Sequence, residues 1–216
     1  ELLYHIYIKM NICYNYLGVI LMKVIFGGAF NPVTNAHIKV CQYIQQMMDV
    51  EEFIFLPVSS AYTKSDLASN YHRLNMLKLA TKNCDKALVS SLEIEDNDFL
   101  GTYKSLIRFY DKYEDDIAFV IGADNLELMD KWINIECILS EFKIIVLGRD
   151  NIDINQMIDE NDVLNKYKDN FIIFKDFNVD ISSTNFREHM APSKVNQDVF
   201  DYIQEYSLYR GDDDVQ

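Results

Sequence analysis

The sequence has no CxxC pair, no excess of basic residues, no unbroken apolar run of membrane length and no linker, and each absence removes a class of protein. Its four cysteines, Cys13, Cys41, Cys84 and Cys137, lie far apart, which argues against a zinc site or a disulfide framework and for reduced, mostly buried thiols in the cytoplasm. Lys and Arg number 20 against 34 Asp and Glu, for a formal net charge of -14. A broad basic face for duplex nucleic acid is therefore not expected, and an anionic ligand must be held by a small local set of donors. A spanning helix needs about 20 nearly unbroken apolar residues; none exists, so no membrane partner is expected. The seven glycines and three prolines form no linker, and no repeat or low-complexity block is present.

What is there suits one core. With 216 residues, 49% hydrophobic and 13% aromatic, the chain can bury one sizeable core and is too short for several domains. Its opening, "ELLYHIYIKMNICYNYLGVIL", is interrupted by Lys9, Asn11 and Asn15, so a signal peptide is not expected. Met22 stands just before the first organised strand. The functional domain is expected over 22–209, with 1–21 an N-terminal extension (an edge strand or loose arm being the alternative) and 210–216 an acidic tail.

Short β-rich runs alternate with stretches of helical period, the pattern of βα units around a parallel sheet. Strands are expected at 24–26, 53–56, 87–90, 117–121, 143–147 and 171–174. Helices are expected at 36–48, 72–82, 103–113, 126–139 with a break near Asn134, and 195–206. The acidic, Asn-rich stretch 150–169 reads as a surface loop with a short helix. The strands look buried on both faces, which implies α/β architecture: a doubly wound parallel sheet with helices on both sides.

In such sheets ligands bind beyond the carboxyl ends of the strands. "KVIFGGAFNPVTNAH" places Gly27 and Gly28 at one such end. Without Cβ atoms they permit a sharp turn and close backbone approach. Pro32 fixes the loop, Asn35 is a suitable N-cap, and a helix from about Ala36 would aim its free N–H groups into the same space. Thr34 and His37, three positions apart, would face it together. Far downstream, "ISSTNFR" sets Ser182, Ser183 and Thr184 before a helix with Arg187 on one face, a second candidate anion cradle.

Together these two stretches resemble the nucleotidylyltransferase superfamily, whose members carry (H/T)xGH near the first strand and a Ser-Thr-rich signature before a late helix. Ala36 stands where glycine is usual. Three more segments resemble nicotinate-nucleotide (nicotinamide-nucleotide) adenylyltransferases: "VIGADNLELMDKW" with Gly122, Asp124 and Trp132; "YTKSDLASNYHRLNML" with Lys64 and a fold-supporting Arg73; and "GTYKSL" with Thr102, where Leu100-Gly101 replaces the usual Ser-Tyr. The ending "VFDYIQEYSLY" is similar to that family's last helix and Leu-Tyr finish.

The resemblance implies a Rossmann-like fold and attack of a pyridine mononucleotide phosphate on the α-phosphorus of ATP, with Mg²⁺ sharing the charge. It implies His37 and Thr34 at the α-phosphate, and Lys64, Ser182, Ser183, Thr184 and Arg187 at the β- and γ-phosphates. Gly28, Ala29 and Phe30 would line the nucleotides, Gly122 and Asp124 the adenosine ribose, and Thr102 and Trp132 the mononucleotide, the indole stacking on the pyridine ring. The alternatives are a phosphopantetheine adenylyltransferase, against which about 155 residues between Gly27 and Ser182 count, and a nucleotide-binding module without turnover. A homo-oligomer stays open, as does the choice between nicotinate and nicotinamide.

Overall fold

The computed structural model describes residues 21–60, 67–96, 100–149, 152–177, 179 and 182–209. The expectations for residues 1–20, Lys64 and 210–216 lie outside these described residues. Six strands form one parallel sheet: β1 (Met22–Gly28), β2 (Val50–Pro57), β3 (Ala87–Val89), β4 (Ile117–Gly122), β5 (Lys143–Leu147) and β6 (Phe171–Phe174), in the order β3-β2-β1-β4-β5-β6. The order reverses between β1 and β4, where Phe26 pairs with Val120, and a crevice opens beyond the strand ends at that switch.

The helices are α1 (Asn35–Met47), α2 (Asn70–Thr81), α3 (Thr102–Tyr113), α4 (Leu126–Met129), α5 (Ile135–Glu141), α6 (Ile154–Glu160), α7 (Asp162–Lys166), α8 (Ser183–His189) and α9 (Gln197–Glu205). One face of the sheet gathers Val24, Phe26, Phe53 and Phe55 with Val40 and Ile44 of α1 and Val199 and Ile203 of α9. The other gathers Ile25, Ile54 and Ile121 with Leu106 and Phe109 of α3 and Ile138 of α5. Adjacent β1 residues thus feed opposite cores, Val24 and Ile25 both at 0% exposure. Each fully buried aliphatic side chain contributes about 1.5–3 kcal/mol, so Ile25→Asp would break the sheet at its centre.

Helix α1 buries His37, Val40, Cys41 and Ile44, the i, i+3, i+4, i+7 stripe of an amphipathic helix. At the far end of β1 the buried Lys23 is enclosed by Glu52 at 3.0 Å, Glu51 at 3.2 Å and Asp115 at 3.4 Å. A charge so deeply placed persists only when paired.

Two local expectations need correction. The N-cap of α1 is Thr34, in extended backbone, and Asn35 already belongs to the helix; its amide instead donates to the Ser193 carbonyl at 3.0 Å. The break expected near Asn134 is present: 126–139 is two helices, separated where Asn134 takes φ 56°. The 150–169 stretch holds two helices, not one, because Asp153 and Asn161 each cap one by accepting backbone N–H groups.

Candidate active site

The loop after β1 is shaped by buried side chains. Phe30 takes φ 45°, a left-handed conformation that costs a non-glycine residue about 1–2 kcal/mol, and this turns its ring inward to 1% exposure. There it meets Phe26 at 5.6 Å, Phe55 at 5.7 Å and the His37 imidazole at 5.1 Å. Arg73, at 0% exposure, braces the loop from below. Its guanidinium donates to the carbonyls of Ala29 at 2.7 Å, Val58 at 2.6 Å and Ala68 at 3.1 Å, and to Asn70 Oδ1 at 2.6 Å. The supporting role expected of Arg73 is what these bonds describe.

Thr34 and His37 act on one another. The Thr34 N–H donates to His37 Nδ1 at 2.9 Å, and the Thr34 hydroxyl lies 2.8 Å from the same nitrogen. A backbone N–H can only donate, so Nδ1 accepts and the neutral ring carries its proton on Nε2. Burial lowers the imidazole pKa from 6.5 to about 4, because a charged ring is poorly solvated there. His37 is thus a neutral N–H donor at pH 7.

Two cavities meet at the sheet's switch point. The smaller, about 190 Å³, is lined by Phe30, His37, Asp124, Gly148 and Arg149; the larger, about 550 Å³, by Glu93, Gly101, Thr102, Phe119, Lys131 and Trp132. Both share Phe26, Gly27, Gly28, Gly122 and Asn125. A Cβ at Gly122 would stand 2.4 Å from Asp124 Oδ1, so a side chain there would displace that carboxylate. Trp132 packs edge-to-face on Phe119 at 6.3 Å, leaving part of its indole in the larger cavity. Thr102 opens α3 beside Gly101, whose φ of 86° suits glycine.

The late signature reaches the early loop. Ser182 stands at the N-cap position of α8 and, with Thr34, Asn35, Ala36, Lys39 and Ser193, lines a depression of about 280 Å³. The Ser183 hydroxyl donates to the Pro32 carbonyl at 2.8 Å. Arg187 donates to the Asn31 carbonyl at 2.6 Å and to Thr184 Oγ1 at 3.2 Å. Two of the expected anion ligands therefore also tie down the loop that precedes α1. Ala29 is exposed and Thr184 lies at the surface; Lys64 lies outside the described residues.

Sequence reading missed Glu93, Gly148 and Arg149. Glu93 receives the Ser105 hydroxyl at 2.6 Å and faces the larger cavity from the loop after β3, with no local motif to announce it. Arg149 pairs with Asp124 at 3.6 Å across the smaller cavity. Its signal was available: "LGRD" sets Gly148 directly after β5, as Gly28 and Gly122 close β1 and β4. A Cβ at Gly148 would stand 2.3 Å from the Lys175 carbonyl.

An open parallel sheet of this order, with twin cavities meeting on strand-end glycines and a neutral histidine at the first helix, defines a nucleotide-binding α/β protein of the nucleotidylyltransferase kind. The cytidylyltransferase-like family model matches residues 25–189. A probable nicotinate-nucleotide adenylyltransferase of Clostridium acetobutylicum is 33% identical over 196 residues, covering 87% of this chain and 98% of that protein. One of Acholeplasma laidlawii, with the same description, is 31% identical over 191 residues, covering 87% and 97%. Among solved structures, Plasmodium falciparum nicotinic acid mononucleotide adenylyltransferase complexed with APC superposes with a TM-score of 0.69 at 20% identity, over 88% of this chain and 97% of that one. The chain belongs to the cytidylyltransferase-like family and, within it, to the nicotinate-nucleotide adenylyltransferases.

Proposed function

We propose that this chain joins the AMP moiety of ATP to nicotinate mononucleotide, or nicotinamide mononucleotide, giving deamido-NAD or NAD and pyrophosphate in NAD biosynthesis. One observation carries the reading: two cavities, one with His37 and one with Trp132, share Gly28 and Gly122, so two nucleotides would meet at bare backbone. The description shared by the Clostridium and Acholeplasma relatives favours nicotinate.

The mononucleotide phosphate attacks the α-phosphorus, the bond to the β-phosphate oxygen breaks, and pyrophosphate leaves. No protein nucleophile is needed; the protein positions the reactants and stabilises charge on the phosphoryl oxygens. His37 donates Nε2–H to an α-phosphate oxygen, its ring held by Thr34. Backbone of Gly28, Ala29 and Phe30 lines the nucleotides. Gly122 and Asp124 take the adenosine ribose, and Thr102 and Trp132 the pyridine mononucleotide, whose cationic ring suits an indole face. Lys64, Ser182, Ser183, Thr184 and Arg187 hold the β- and γ-phosphates, Arg187 through N–H groups beyond those on Asn31 and Thr184.

Magnesium would be carried in with ATP and would supply positive charge against the phosphoryl oxygens. Among the described residues no group of three or more His, Cys, Asp or Glu is placed to hold a metal on the protein itself. Residues 22–209 form the catalytic unit. No helix among the described residues is long and apolar enough to cross a membrane, Cys41, Cys84 and Cys137 are free thiols, and the reading places the reaction in the cytoplasm. Pyrophosphate release on mixing the protein with MgATP and each mononucleotide tests it.

A further inference from the structure

The Leu-Tyr ending has so far been given no work. Beyond α9 the chain bends back through Ser207 and Tyr209, at φ 50° and 64°, with the Leu208 N–H donating to the Ile203 carbonyl at 3.0 Å. The bend lays the Tyr209 ring edge-to-face against Phe186 of α8 at 6.4 Å. Its hydroxyl donates to Asn31 Oδ1 at 2.8 Å.

Asn31 is a buried junction, 3% exposed. Its Oδ1 also accepts the Ala68 N–H at 3.0 Å, which fixes that atom as oxygen because a backbone N–H can only donate. Its carbonyl receives Arg187 at 2.6 Å. One residue therefore joins the loop after β1, the chain entering α2, helix α8 and the turn beyond α9. Burial raises the Tyr209 phenol pKa, so the group stays a protonated donor at working pH. Neither nucleotide cavity is lined by Tyr209, so the residue reaches the reaction through the groups it holds, Asn31 first among them.

We propose that Tyr209 is a positioning residue for adenylyl transfer: its hydroxyl holds Asn31, and with it the loop that carries Thr34 and His37 to the junction of the two cavities. The inference rests on the function proposed above. Holding the loop before ATP arrives removes an ordering step at binding, so the tie acts on ATP more than on the mononucleotide.

Tyr209→Phe keeps the ring against Phe186 and deletes only the hydroxyl. Turnover is expected to fall about three- to tenfold, the scale of one hydrogen bond, with the Michaelis constant for ATP rising and that for the mononucleotide unchanged. Without substrates, amide hydrogen exchange over 28–34 should quicken while α9 keeps its protection. In an Asn31→Ala background the hydroxyl has lost its partner, so adding Tyr209→Phe should change nothing further. Unchanged turnover and loop exchange in Tyr209→Phe, or an equal loss in both backgrounds, overturns the proposal. A parent protein that releases no pyrophosphate defeats the functional reading instead; the exchange measurement then decides the tie alone.

Discussion

The Ser183 hydroxyl donates to the Pro32 carbonyl at 2.8 Å, joining positions 151 residues apart in the chain. This contact brings the late serine-threonine signature onto the loop that precedes α1, so the N-termini of α1 and α8 open on one depression, lined by Thr34 and Ser182. Two helix starts facing one space supply free N–H groups from both sides. In the proposed reaction the triphosphate tail would lie there, held by local donors in a chain whose net charge is -14.

His37→Ala should lower turnover by about 10²-fold or more, the usual loss on deleting one donor to a charged transition state. Its ring also packs on Phe30 at 5.1 Å, so the unfolding midpoint must be measured alongside. Turnover within threefold of the parent would remove His37 from the chemistry.

The same burial makes stability depend on pH. With the folded pKa near 4 against 6.5 unfolded, the unfolded chain binds a proton that the folded chain refuses as pH falls through that window. Stability is complete above about pH 6.5 and declines toward pH 4, by roughly 2 kcal/mol between pH 7.5 and 5. Urea unfolding at these two pH values should show a loss that is smaller by this amount in His37→Gln. Equal losses in parent and variant would contradict the assignment.

Trp132→Ala should raise the Michaelis constant for the mononucleotide and spare that for ATP, because the indole lines only the larger cavity. Initial rates with each substrate varied in turn decide this. Equal changes for both would make Trp132 a packing residue on Phe119.

Arg73→Met should destabilise the protein by about 3–5 kcal/mol, since it empties the centre of the loop brace and takes the guanidinium donor from the carbonyls of Ala29, Val58 and Ala68. Denaturant midpoints check it, and a loss below about 1 kcal/mol would show that water or neighbours replace the guanidinium.

Much of this was legible in the sequence. Strands whose neighbours on both faces are helices read as continuous apolar runs, so β4, β5 and β6 were placed to within a residue. Helix α1 was off by one because Thr34 and Asn35 are both good caps; the choice fell to Thr34 through its contacts with His37, a pairing that spacing suggested without fixing. Motif residues such as His37 and Trp132 were visible because the segments that carry them resemble a known family's motifs. Glu93 was not, since its place depends on where the β3 loop meets α3, and Tyr209 gained its partner only when the chain folded back over Asn31. The segment 150–169 hid two short helices behind a polar composition, each started by a cap and not by an apolar stripe.

The most direct test is stoichiometric. Purified protein with MgATP and nicotinate mononucleotide should release pyrophosphate and form deamido-NAD in equal amounts, with slower or no turnover on phosphopantetheine. Pyrophosphate release with phosphopantetheine but not with nicotinate mononucleotide, or with ATP and no second substrate, would contradict the account.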